Sequence, residues 1–184
     1  MRRVFVSNLM SIDGFFEDEE KKLDWFTPDE SFFTYARAML RSVDTILFGR
    51  ATWEHMAAYW PSAPADEIAE QMNQLPKVVF SKTLPVADWQ NSRLVRSDAV
   101  EEVQRLKQLP GRDMVILGSA ALSSCLLQAG LIDEYRVIVA PVVLGRGTPL
   151  FQDVRARIGL RLTDVRRFDS GVVMLSYLGN QAQA

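Results

Sequence analysis

Two segments of this sequence repeat one arrangement that can hold an anion. In Thr45-Ile46-Leu47-Phe48-Gly49-Arg50-Ala51-Thr52-Trp53-Glu54 and in Met114-Val115-Ile116-Leu117-Gly118-Ser119-Ala120-Ala121-Leu122, an apolar run suited to a buried strand stops at a glycine and a helical pattern begins at once. A helix start presents backbone N–H groups without intrahelical partners, at the positive end of the dipole, so each junction can receive a phosphate. Glycine also lets a ligand approach the backbone closely. One such junction is common and serves equally as a tight turn. Two of nearly the same layout point to a ligand with two phosphate-bearing ends, such as a dinucleotide. Neither has the G-x-G-x-x-G spacing of a Rossmann turn, so that fold is not supported.

The elements around these junctions belong to one domain. The chain has 184 residues, 48% hydrophobic and 24% charged, which is ordinary for a globular protein with a substantial core. A net charge of −2 argues against a broad nucleic-acid or membrane-binding face. No run approaches the roughly 18 apolar residues of a membrane helix, and Met1-Arg2-Arg3 is not followed by an adequate signal-peptide core, so cytoplasm is expected. One cysteine excludes an internal disulfide, and one histidine excludes the usual zinc clusters. Cys125 is expected to be a buried packing residue, and His55 a surface or half-buried structural one.

Along the chain, residues 4–9 read as a strand, followed by an irregular stretch from Met10 to Phe26. Thr27-Pro28-Asp29-Glu30 predicts a helix start with Thr27 as cap, and Phe32, Phe33, Ala36, Met39 and Leu40 give that helix its apolar face. Strand 44–48 feeds a helix ending before Pro61, and a short helix spans 66–74. Strands at 77–81 and 93–96 precede a helix capped by Asp98. Strand 113–117, helix 119–129, a long strand at 134–143, and strands 160–168 and 172–178 around Asp169-Ser170-Gly171 complete the order. The expected fold is α/β: a mostly parallel central sheet of about eight strands with a C-terminal antiparallel hairpin, both glycine junctions lying at strand carboxyl ends. The domain is expected to span 1–180, with a tail at 181–184.

Phe48-Gly49-Arg50-Ala51-Thr52-Trp53-Glu54 and the Gly118 turn resemble the two glycine turns of dihydrofolate reductase. Ser11-Ile12-Asp13-Gly14-Phe15, Asp24-Trp25-Phe26, Ala58-Tyr59-Trp60-Pro61 and the segment from Pro141 to Phe151 are closer to stand-alone proteins similar to the reductase domain of the riboflavin-pathway deaminase-reductase. The resemblance covers nearly the whole chain. It implies a dihydrofolate reductase-like three-layer fold and NADPH as cofactor. Gly49, Arg50, Ala51 and Thr52 would contact the cofactor from the first helix start. Leu117, Gly118, Ser119, Ala120, Ala121 and Leu122 would hold its pyrophosphate from the second, and Gly14 would lie near the nicotinamide. Ser81 and Lys82 match the 2′-phosphate position, and Arg96 and Ser97 the adenosine edge. The residues agree: Arg50 and Lys82 supply positive charge, and no acidic residue stands at these strand ends to favour a free 2′-hydroxyl.

The resemblance also implies a substrate side lined by Leu9, Trp25, Phe33 and Val139, with Asp13 and Asp29 as the catalytic candidates. Asp13 would orient substrate or turn the loop; Asp29 would supply a proton or complement a helix N-terminus. The positions that hold dihydrofolate reductase's acid, folate-tail arginine and threonine fall here on Phe33, Leu75 and Val139. The expected activity is NADPH-dependent reduction of a small heterocyclic or carbonyl substrate, resembling 5-amino-6-(5-phosphoribosylamino)uracil reductase. A dihydrofolate reductase and a protein that binds NADPH without turnover are the alternatives. A homodimer is implied, with 134–143 and 172–178 as contact surfaces.

Overall fold

The computed structural model describes residues 1–154 and 156–179; the expected domain end at 180 and the tail 181–184 lie outside the described residues. The parallel strands are Val4–Ser11 (β1), Val43–Gly49 (β3), Lys77–Phe80 (β4), Ser92–Val95 (β5), Asp113–Leu117 (β6) and Glu134–Ala140 (β7). The closing hairpin, Leu160–Arg167 (β9) and Val173–Gly179 (β10), adds its strands antiparallel beside β7. The sheet order is β5-β4-β3-β6-β1-β7-β10-β9. The expected fold class is therefore the observed one. A two-stranded ribbon of Phe15–Glu17 (β2) and Thr148–Pro149 (β8) was not legible in the sequence, because two or three residues carry no measurable alternation.

The helices divide between the two faces. Glu30–Ser42 (α1), Arg50–Tyr59 (α2) and Glu67–Gln74 (α3) cover one face, burying Tyr35, Met39, Leu40, Trp53, Ile68 and Met72. Ala99–Gln108 (α4) and Ala120–Gln128 (α5) cover the other with Val103, Leu106, Leu122, Leu126 and Leu127. Strand residues alternate between these layers: Phe5 and Leu9 pack with the first, Val4, Val6 and Met10 with the second. Among the described residues, no helix is long and apolar enough to cross a membrane.

Three local expectations change. The cap of α1 is Asp29, not Thr27: its carboxylate accepts the Phe32 N–H at 2.8 Å and an N–H from Ser170 in the β9–β10 turn, so a tertiary contact selects the starting residue. Cys125 is exposed, because Ala121, Cys125, Gln128 and Ala129 form the outward stripe of α5 at helical spacing. The long strand stops at Ala140 rather than 143.

Lys77 is the unexpected core residue. It is 1% exposed, its Nζ donates to the carbonyls of Asn73, Leu75 and Gln90 at 3.0, 2.7 and 3.1 Å, and it lies 4.3 Å over the Trp89 ring. Burial pushes its ammonium down from 10.5 to about 8. The native state gives up this proton first, so the group adds stability as pH rises from about 8 to 10.5. Replacing Lys77 with Met should remove that rise and, by stranding three carbonyls, lower stability by about 2 kcal/mol, both read by urea unfolding at pH 7 and pH 10.

Candidate functional site

Strands β3 and β6 are neighbours, yet α2 leaves β3 toward one face of the sheet and α5 leaves β6 toward the other. Helices that part in this way open a crevice at the strand carboxyl ends. The two glycine junctions meet there and are bonded to each other. The Gly49 N–H donates to Ser119 Oγ at 2.8 Å, and the Ser119 N–H donates to Thr52 Oγ1 at 2.8 Å. Gly118 and Ser119 are both left-handed, with φ of 62° and 57°; a Cβ on Gly118 would stand 2.9 Å from Thr52 Cγ2 and 3.1 Å from the Phe16 ring. The junctions are thus one composite site, not grips for two distant ends of a ligand.

Both helix starts remain open to an anion. Gly49 offers no side chain, and the Ser119 hydroxyl is engaged by Gly49, so neither helix has a side-chain cap; neither first turn holds an acidic residue. Arg50, Ala51 and Thr52 of the first helix start and Ala120, Ala121 and Leu122 of the second line one and the same cleft.

The crevice continues into a cleft of about 760 Å³. Of the sequence-predicted residues it brings together Leu9, Phe33, Gly49, Arg50, Ala51, Thr52, Leu117, Gly118, Ser119, Ala120, Ala121 and Leu122. Ser81 and Lys82, on the loop after β4, and Arg96 and Ser97, which follow β5, sit outside its lining. Arg50 Nη1 reaches that loop through Thr83 Oγ1 at 2.8 Å, while Arg96 clamps it by donating to the carbonyls of Lys82, Leu84 and Pro85. Ser81 Oγ turns the loop by accepting the N–H groups of Thr83 and Leu84.

Val139 is not brought to the cleft. It packs in the α4–α5 layer, and its neighbour Ile138 lines the cleft instead, since successive strand residues face opposite ways. Trp25 lies outside the lining, its indole N–H donating to the Lys22 carbonyl, while Leu23 and Phe26 beside it line the wall.

Neither aspartate is among the residues that line the cleft. Asp13 is exposed; its carboxylate accepts from the amides of Leu144 and Gly145 at 3.1 and 2.7 Å. The Ser11 hydroxyl, with the Gly145 and Leu144 amides, holds it below the ordinary carboxylate value. Asp29 caps α1, and the side chains of Ser170 and Ser31, with the amides of Phe32 and Ser170, hold its carboxyl far below that value. Both are lasting acceptors. Asp13 and Gly14, whose carbonyl accepts the Leu150 N–H at 3.0 Å, tie the loop after β1 to the loop after β7. The ribbon β2–β8 completes this double loop, with Glu17 bonded to Thr148 and paired to Lys21 at 2.9 Å.

Sequence reasoning missed Ser7, Phe16 and Tyr35, which line the cleft. Tyr35 follows Phe32 by three and precedes Met39 by four, so helical spacing could have found it. Phe16 could not be placed, because only the ribbon brings its ring over Gly118.

The chain matches the family model described as RibD C-terminal domain over residues 2–174, and it belongs to that family. It is 36% identical to the uncharacterized protein YyaP of Bacillus subtilis, covering 97% of this chain and 96% of that protein. A putative riboflavin biosynthesis protein of Shewanella sp. PV-4 superposes with a TM-score of 0.79 at 21% identity, over 97% of this chain and 99% of that one. Dihydrofolate reductase of Enterococcus faecalis, solved with NADP(H), superposes with a TM-score of 0.67 at 17% identity, over 97% of each chain. These structures show that the fold is the dihydrofolate reductase-like one.

Exchanging Thr52 for Val keeps the packing against Gly118 but leaves the Ser119 N–H without its acceptor; denaturant unfolding should show a loss of about 1–2 kcal/mol. The Asp29 carboxylate contributes stability that is fully present above the unfolded carboxyl value near 3.8 and is lost as pH falls through its depressed native value. In an acid titration followed by circular dichroism, Asp29→Asn should accordingly flatten the stability loss below pH 4.

Proposed function

We propose that this member of the RibD C-terminal domain family is an NADPH-dependent reductase acting on a small heterocyclic or carbonyl substrate. The observation that carries the reading is the pair of helix starts without side-chain caps, bonded side by side in the crevice and opening onto an apolar cleft. A dinucleotide fits there: its pyrophosphate would lie between the first-turn amides of α2 and α5. The adenosine 2′-phosphate would meet Arg50 and the loop of Ser81 and Lys82, with Arg96 and Ser97 at the adenosine edge. The Enterococcus faecalis reductase carrying NADP(H) on the same fold supports the choice of dinucleotide.

When bound, NADPH supplies a hydride from its nicotinamide ring. This chain's own residues then bind, orient and exclude water. Gly49, Thr52 and Ser119 fix the width of the crevice through their mutual bonds. Leu9, Phe33 and Ile138 line the cleft with apolar surface. Asp13 acts on the double loop rather than on substrate, by holding the segment after β1 against Leu144 and Gly145. The position of dihydrofolate reductase's acid is occupied by Phe33, which disfavours dihydrofolate as substrate.

A homodimer belongs to the same reading. It is supported by the outer hairpin, where Leu162 and Val165 of β9 are 50% and 55% exposed beside β10. Sedimentation at micromolar concentration should return a dimer's mass.

Steady-state oxidation of both coenzymes tests the central claim. The Michaelis constant for NADPH should lie at least about tenfold below that for NADH. Lys82→Ala should raise the NADPH constant by about threefold to tenfold and leave the NADH constant nearly unchanged. A clear preference for NADH would reject the 2′-phosphate assignment, and binding without reduction of any acceptor would leave a coenzyme-binding protein.

A further inference from the structure

Away from the helix starts, the cleft runs between α1, α2 and β1, where Leu9, Phe32, Phe33, Met39, Met56 and Trp60 line it. The charged residues of the lining are Glu17, Lys21 and Arg50, and each is matched within the protein. Lys21 pairs with Glu17 at 2.9 Å on the double loop, and Arg50 pairs with Glu54 at 2.9 Å beside the phosphate crevice. His55, on α2, is exposed. The apolar arm itself presents no charged side chain among the described lining residues. A phosphate or carboxylate carried into this arm would lose its hydration and meet no charged side chain of the lining, a far larger cost than burying a neutral ring.

One pair of polar side chains interrupts that apolar wall. Tyr35 from α1 and Ser7 from β1 face each other, with Oη and Oγ 3.3 Å apart, and both line the cleft. Beneath this pair the Arg136 guanidinium lies 4.0 Å over the Phe5 ring and is bonded to Glu134. The phenol carries one O–H that a ligand acceptor can receive. Its present partner, Ser7, stands at the long end of the range for an O–H···O bond and is easily exchanged for a ligand acceptor.

We infer that the substrate is an uncharged, planar, largely apolar molecule with one carbonyl-type acceptor, and that the Tyr35 hydroxyl binds and orients that acceptor. The inference rests on the reductase reading for its chemistry, since a hydride acceptor must enter this arm. It separates the chain's substrate from phosphorylated ribosylaminouracils.

Calorimetry on the full chain saturated with NADP+ tests it with 2-naphthaldehyde, its 6-carboxylate and naphthalene. The neutral aldehyde should bind at least about tenfold more tightly than the carboxylate. Tyr35→Phe should weaken the aldehyde by about threefold to tenfold and leave naphthalene within about twofold. Equal or tighter binding of the carboxylate, no binding of any probe, or equal effects of Tyr35→Phe on aldehyde and naphthalene would overturn the inference. A preceding titration with NADP+ reads the coenzyme claim separately: if it shows no uptake, the reductase reading fails, and the three probes still report on the cleft.

Discussion

The site depends on two hydrogen bonds between neighbouring strand ends, Gly49 N–H to Ser119 Oγ and Ser119 N–H to Thr52 Oγ1. They hold the start of α2 against the start of α5 while the two helices leave for opposite faces of the sheet. The same bonds occupy Ser119, the one hydroxyl that could have capped α5, and so leave its first-turn amides available. Holding Ser119 in this position requires two successive left-handed residues. Glycine adopts that conformation freely at 118, and the tertiary bonds sustain it in the serine that follows.

A second constraint closes the cleft from above. The loop after β1 is fastened to the loop after β7 by Asp13, by the Gly14 carbonyl and by the β2–β8 ribbon. Gly147 has no room for a Cβ, which would stand 2.1 Å from the Glu17 carbonyl oxygen. Because Phe16 rides on this double loop and rests over Gly118, the roof of the cleft touches the phosphate crevice directly. Amide and hydroxyl donors engage the carboxylates of both Asp13 and Asp29.

The physical character of the cleft differs between its two ends. At the crevice, backbone dipoles and Arg50 favour an anion; along α1 the wall is aromatic and aliphatic, with Tyr35 and Ser7 as its polar pair. On the proposed reading, the charged part of a ligand pair belongs to the coenzyme and the neutral part to the substrate.

Much was legible beforehand. The strand and helix order, the parallel sheet with its closing hairpin, and both glycine junctions follow from periodicity, caps and turn residues, which are local properties. The Asp98 cap and the Gly171 turn stand where the pattern placed them. What the sequence left open concerned contacts between distant segments. Strand alternation, once the register is known, sends Val139 to the far layer and Ile138 to the cleft. Ser170 moves the cap of α1 from Thr27 to Asp29, three carbonyls recruit Lys77, and adjacency of β3 and β6 turns two apparent phosphate grips into one. Local patterns are set by the backbone's own periods. Which donors and acceptors remain free at a site is decided only when the folded chain has paired the rest.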